Sequence, residues 1–163
     1  MSEPTPGPVR TTAAYGVANA PADGTMLTWS TIAAWLVGAR NYWVASTRRD
    51  ARPHVMPVWG VWSDDALWFS TDPDSVKARN FARHPGVVVH LESGDEVCVL
   101  DGQVRRVSPA ELPDGFIAAY EAKYGTPVEI DNPDHGLFRF TPDVALTWIE
   151  AEYATTPTRW TWP

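Results

Sequence analysis

After residue 25, the chain carries two successive patterns of apolar residues. Between residues 29 and 38 they recur at helical spacing behind a possible N-cap, Thr28, which predicts a helix. From residue 41 onwards, short runs of β-branched and aromatic residues alternate with turn-forming residues, as in antiparallel strands. The predicted strands cover residues 41–47, 52–62, 66–71, 87–92 and 97–107, and residues 136–150 form one or two more, broken near Thr141 and Pro142. Further helices are predicted over 75–84 and 109–124.

The order of these elements indicates the fold class. Strands follow one another through short turns and helices interrupt only three times, which excludes the regular strand–helix alternation of a parallel doubly wound sheet. A mainly β (α+β) protein, a small antiparallel barrel with helices at its rims, fits better. Residues 1–25 are rich in Pro, Gly, Ala and Thr and predict a flexible or extended arm, which leaves residues 26–163 as one folded domain.

Composition and charge narrow the classes of function. The chain has 163 residues, 44% of them hydrophobic, and a formal net charge of −7, which argues against binding to nucleic acid or to an anionic membrane surface. No apolar run reaches the roughly 20 residues that cross a bilayer, and no secretory signal stands at the start, so a cytoplasmic protein is expected. The single cysteine, Cys98, excludes a disulfide framework, and the four histidines lack metal-site spacing, so we expect no metal.

The segment STDPDSVKARNFARHP, residues 70–85, predicts an anion site. A strand ends, an acidic turn follows, and the first turns of a helix then carry hydroxyl, amide and basic side chains. The free N–H groups and partial positive charge of a helix start favour a phosphate, and basic side chains add to this preference. The alternative is an ordinary capped surface helix whose basic side chains are solvated. The candidate phosphate contacts in this helix are Ser75, Lys77, Arg79 and Asn80.

The strand RPHVMPVWGVW, residues 52–62, is apolar on both faces. Side chains alternate along a strand, so His54 and Met56 face one way while Val55 and Pro57 face the other. Either protein covers both faces, or a subunit or a flat ligand covers one of them. Because Pro57 cannot donate to a ladder, this strand should have an edge, a bulge or a ligand beside that residue.

These segments resemble the pyridoxamine 5'-phosphate oxidase-like split-barrel proteins, in particular the actinobacterial flavin- and deazaflavin-dependent oxidoreductases. The resemblance rests on NYWVAST, RPHVMPVWG, LWFSTDPDSVKARNFARHPGVVVHLE and VCVLDGQVRRV, and it covers most of the folded chain. It implies a six-stranded antiparallel split β-barrel that forms a homodimer, with two cofactor sites at the interface between the subunits.

The resemblance also implies where the cofactor lies. Its ring would lie along the PHVMPVWG strand. Its phosphate would be held by Ser70 or Thr71, at the end of the preceding strand, together with Ser75, Lys77 and Arg79 or Asn80. Arg159 and Trp160, near the C-terminus, would reach the site of the partner subunit. The ring contacts implied in this way are Met56, Pro57, Val58 and Trp59, with His54 at the start of the strand.

The implied function is hydride transfer between a flavin-type cofactor and a small unsaturated or aromatic substrate. Coenzyme F-420, which carries a phosphodiester and an oligoglutamate tail, is the expected cofactor, and FMN, with one phosphate, is the alternative. Arg48, Arg49 and Arg52 in the first hairpin turn could bind such a tail, although a solvated turn is the simpler interpretation. The C-terminal TPTRWTWP lacks the Arg-x-His segment of true pyridoxamine-phosphate oxidases, so their reaction is not expected. A non-catalytic carrier of flavin, deazaflavin or haem remains the alternative from another class.

Overall fold

The computed structural model describes residues 3–9, 26–132 and 134–163. This part of the chain has three α-helices and nine strands. The helices are α1 (Trp29–Gly38), α2 (Val76–Arg83) and α3 (Phe116–Tyr124). The strands are β1 (Thr5–Pro8), β2 (Tyr42–Thr47), β3 (Pro53–Val58), β4 (Gly60–Ser63), β5 (Ala66–Thr71), β6 (Gly86–His90), β7 (Glu96–Val107), β8 (Gly136–Ile149) and β9 (Thr158–Thr161).

All strand pairs are antiparallel, and two long strands organise the sheet. The order is β1-β9-β8-β7-β6-β2-β3, and β5 adds to β8 with β4 beyond it. Strands β7 and β8 pair along nearly their whole length, with a bulge between Asp101 and Gly102. Because β8 meets β5 with its first half and β9 with its second, the sheet splits into two curved parts, as expected for a split barrel. The six strands implied by the resemblance are exceeded: nine lie in the described part of the chain.

Local signals set α1 and α2 as the sequence predicts. The Thr28 side chain accepts a hydrogen bond from the backbone N–H of Thr31, at 3.3 Å, and so caps α1. The Ser75 side chain does the same for Ala78, at 3.3 Å, and caps α2. An N-cap oxygen satisfies one of the free N–H groups at a helix start, which fixes where the helix begins.

Two predicted elements are wrong in their continuity. The single helix over 109–124 is a 3-10 turn, Pro109–Glu111, followed by α3, because Pro113 interrupts it and Gly115 adopts a left-handed φ of 77°. The long strand over 52–62 divides at Trp59 into β3 and β4, whereas residues 136–149 form one unbroken strand. Within the predicted N-terminal arm, Thr5–Pro8 is extended and pairs with β9, and residues 1–2 and 10–25 lie outside the described residues.

Two apolar clusters hold the described part of the chain together. The larger lies inside the barrel and includes Ile32 and Leu36 of α1, which are fully buried. The smaller lies under α3, where Phe116, Tyr120 and Tyr124 pack on β4, β5 and β8. Cys98 is buried in the larger cluster, as its position between two valines indicates.

Candidate functional site

Strand β3 is an apolar edge strand that the described part of the chain leaves exposed. Among the described residues it pairs only with β2, which explains how Pro57 is tolerated in its middle. Val55 and Met56 are 42% and 44% exposed, and Trp59, directly after the strand, is 40% exposed. Burial of both faces by protein, the first alternative, would therefore need more than the described residues of one chain. Exposed large apolar side chains close together are typical of a surface that binds a subunit or a ligand.

Helix α2 is fastened to the start of β3 through a buried polar relay. The Asn80 side chain, 2% exposed, donates to the Ser46 hydroxyl at 3.0 Å. That hydroxyl in turn donates to the backbone carbonyl of His54, at 3.3 Å. The amide of Asn80 is thus committed to packing, and its part in the predicted site is to set the distance between α2 and β3.

His54 lies where these elements meet, and its surroundings suit an anion. Its Nδ1 atom is buried and has no hydrogen-bond partner among the residues that the structure describes. Burial lowers the pKa of His54, and the positive charges of Arg48 and Lys77 lower it further. Burial also lowers the pKa of Lys77, against the opposing effect of Asp72. Two cations that crowd a ring nitrogen with no partner would each gain from a bound anion.

The hairpin arginines and helix α2 line one cavity, the arginine cavity, of about 520 Å³. The hairpin turn keeps its shape through the backbone bond from the Arg48 N–H to the Arg52 carbonyl, at 2.9 Å. Of the described residues that line the cavity, Asp50 alone is acidic, and it pairs with Arg52 at 2.8 Å. The cavity is lined by Arg48, Arg49, Asp50, Arg52, Val76, Arg79, Asn80 and Arg83. Arg83 was not predicted, although it follows Arg79 at helical spacing and so shares its face.

Ser70 and Thr71 lie elsewhere, on a second cavity of about 540 Å³ that we call the acidic cavity. It is lined also by Asp72, Glu129 and Asp134. Neither Ser70 nor Thr71 lines the arginine cavity, and the carboxylates of the acidic cavity would repel a phosphate. The Ser75 hydroxyl oxygen, at the N-cap of α2, accepts a hydrogen bond from the Ala78 N–H. The Arg79 guanidinium donates to the Asp74 backbone carbonyl.

The two C-terminal residues of the predicted site differ in their placement. Trp160 is 2% exposed, its ring packs on Trp29 at 5.3 Å between centroids, and its N–H donates to Thr147 at 2.8 Å. The prediction that Trp160 reaches a partner's site is therefore wrong, because its own core encloses it. Arg159 points to the opposite face of β9 and is exposed, so its predicted role stays open to test.

Two further findings concern metal ions and membranes. No group of three or more potential metal ligands occurs among the described residues. No helix in this part of the chain is long and apolar enough to span a membrane.

Comparison with known proteins identifies the family of the chain and agrees with its fold. A family model described as pyridoxamine 5'-phosphate oxidase matches residues 29–149. The chain therefore belongs to the pyridoxamine 5'-phosphate oxidase family, a class of split-barrel proteins. No curated protein matches the sequence.

Several solved structures share the fold. A conserved hypothetical protein from Mycobacterium tuberculosis is 22% identical, with a TM-score of 0.65 over 81% of this chain and 90% of that chain. An F-420 reductase is 20% identical, with a TM-score of 0.54 over 68% of this chain and 92% of that chain. A haem storage protein from Vibrio cholerae is 20% identical, with a TM-score of 0.57 over 69% and 88% of the two chains. At such identities these likenesses establish the fold alone.

Proposed function

We propose that the protein is an oxidoreductase that binds the deazaflavin coenzyme F-420 along β3 and transfers hydride to a small unsaturated or aromatic substrate. The arginine cavity is the observation that carries this proposal. It opens at the hairpin that leads directly into β3, so an anionic tail and a flat ring can bind to adjacent parts of one surface.

The charge of the cavity favours F-420 over FMN. Five arginines face one aspartate there, and that aspartate is paired. A single phosphate monoester needs only the smaller cluster of His54, Lys77 and Arg48. A phosphodiester followed by several glutamates offers enough negative charge for both, and arginine suits carboxylates because its guanidinium binds them in a bidentate manner. FMN is the second candidate, since the His54 cluster alone could hold its phosphate.

The chain supplies positioning and exclusion of water. A flavin-type group, when bound, supplies hydride transfer, and the protein sets its orientation and surroundings. On one face of β3, Pro57 and the following Trp59 offer an apolar wall for a ring, while Met56 and the buried Val58 lie on the other face. Lys77 with the arginines fixes the anionic end. A non-catalytic haem carrier would need an axial ligand, and the visible spectrum of the purified protein tests that alternative.

We further propose that a second copy of the chain covers the outer face of the sheet. Paired residues of antiparallel strands share a face, so the registers place one row of half-exposed or exposed apolar side chains across five strands. This row runs through Val55 and Pro57, Trp43 and Ala45, Val88, Val97 and Val99, and Leu146 and Trp148. Arg159 lies opposite Leu146 on the same face, where it could reach a partner's cofactor. Val99→Asp together with Leu146→Asp should convert a dimer to a monomer in light scattering, and a wild-type monomer would refute this part.

The test of the cofactor is a fluorescence titration of the purified protein with F-420 and, separately, with FMN. Arg79→Gln and Arg83→Gln remove charge from the arginine cavity, and Arg106→Gln removes the same charge from another surface. We expect tighter binding of F-420 than of FMN, and about tenfold weaker F-420 binding for each cavity variant, the scale of one lost charge-assisted contact. Equal effects of all three variants would show that only overall charge matters. If neither compound binds, the proposal fails.

A further inference from the structure

The corner between β3 and β4 is held by side chains from α3, far away along the chain. The Gly60 N–H donates to the Tyr124 hydroxyl at 2.8 Å, and the Gly60 carbonyl accepts from Lys123 Nζ at 3.1 Å. The single hydrogen of the Tyr124 hydroxyl serves two carbonyls in reach, that of Gly60 at 2.9 Å and that of Arg40 at 2.8 Å. Gly60 pairs with Phe69 at the start of β4, and α3 supplies side-chain partners for its N–H and its carbonyl.

The same two residues of α3 also contact the side chains around the corner. The rings of Trp59 and Tyr124 are stacked, with centroids 4.6 Å apart and planes 8° from parallel. The Arg40 guanidinium lies 5.6 Å from the Trp59 centroid. Lys123 Nζ also donates to the Tyr42 hydroxyl at 3.0 Å and lies 4.8 Å from the centre of that ring. Stacking and backbone contacts therefore hold one conformation of a tryptophan that remains 40% exposed.

We propose that Tyr124 and Lys123 are positioning residues that fix the exposed Trp59 side chain as a rigid wall at the end of the ring-binding strand. This inference rests on the proposed function, because it takes the ring to lie along β3. An exposed tryptophan that is free to rotate must be ordered when a ligand binds, whereas one that is already held costs no such entropy. Holding the aromatic wall in advance is how a site on an edge strand keeps its geometry.

The variants that test this are Tyr124→Phe, which keeps the ring but removes the hydroxyl, and Lys123→Met, which keeps the length but removes the amine. Glu121→Gln is the matched control, since Glu121 lies on the exposed side of the same helix. Each is measured with its own Trp59→Phe counterpart, so that the difference isolates the fluorescence of Trp59 and its quenching by acrylamide. Lys123→Arg, which retains a donor, should behave more like the wild type than Lys123→Met.

In the protein without cofactor, we expect Trp59 to become more quenchable in Tyr124→Phe and Lys123→Met but not in the control. Affinity for F-420 should fall by roughly three- to tenfold, the cost of ordering one side chain on binding. If quenching of Trp59 matches the control, the inference is overturned. If quenching rises while affinity for F-420 is unchanged, Trp59 is held for another purpose and the inference is again overturned. If the wild type binds neither F-420 nor FMN, the proposed function fails separately, because the quenching is measured without cofactor.

Discussion

Replacement of Lys77 by methionine should separate cofactor binding from stability. The Lys77 ammonium is about half-buried, and no hydrogen bond or ion pair holds it among the described residues. Its pKa is lowered because burial disfavours the charged form. In the cofactor-free protein this charge therefore lowers the stability of the fold, and a bound anion would offset that loss. Methionine keeps most of the side-chain length and removes the charge.

The expected magnitudes follow from that environment. Loss of one charge-assisted contact to an anion costs about 1.5–3 kcal/mol, or roughly ten- to a hundredfold in affinity. The cofactor-free protein should not lose stability, and a gain of up to about 1 kcal/mol would raise the melting temperature by about 2–4 °C for a chain of this size. The partial exposure of Lys77 keeps this gain small, because solvent screens the charge.

The assay is a cofactor titration at fixed ionic strength, combined with thermal unfolding without cofactor. Lys77→Arg, which retains the charge, should bind within a few fold of the wild type, and Arg106→Gln controls for net charge. Lys77→Met that binds as tightly as the wild type would show that Lys77 does not contact the anion. A clear fall in melting temperature would instead show that Lys77 stabilises the fold.

Three further predictions concern His54, Cys98 and Gly60. In an NMR titration, the pKa of His54 should lie below the ordinary value for histidine, and added anionic cofactor should raise it. Because the unfolded chain then binds a proton more readily than native His54 does, this residue should lower stability as the pH falls below about 6.5, and an unshifted pKa of His54 would refute the cluster. Burial raises the pKa of Cys98 to about 12, so its thiol should react with a disulfide reagent only after unfolding in denaturant, and rapid labelling of the native protein would contradict its placement. Gly60→Ala places a Cβ 2.7 Å from the Trp68 carbonyl oxygen and should cost about 1–3 kcal/mol, read as a lower urea midpoint, whereas Gly38→Ala, with open space around it, should not.

Most secondary structure could be predicted because its causes are local. Thr28 and Ser75 cap their helices with their own side chains, and β5 has the predicted bounds, residues 66–71. The single helix predicted over 109–124 is wrong for a reason that is also local: Pro113 and Gly115 end the early turn before α3. The division of 52–62 at Trp59 is different, because the contacts of Gly60 with α3 that hold it lie far away in the sequence.

The candidate site was predictable in its residue types and only partly in its membership. The basic residues of α2 and of the hairpin were each visible in the sequence, but separately. Their meeting in one cavity depends on the relay from Asn80 through Ser46 to β3. Ser70 and Thr71 are near α2 in sequence, yet they line the acidic cavity.

The sequence by itself determined the starts of α1 and α2, the antiparallel strands, the family, and a strand that is apolar on both faces and contains a proline suited to a sheet edge. These follow from periodicity, capping and backbone chemistry within a few residues. The tertiary structure alone decided that the hairpin arginines join α2, that Trp160 faces its own core while Arg159 faces outward, and that α3 holds Trp59 in place. The physical reason is that strand pairing and curvature set which distant residues meet, and a shift of one residue in register would exchange the faces of Arg159 and Trp160.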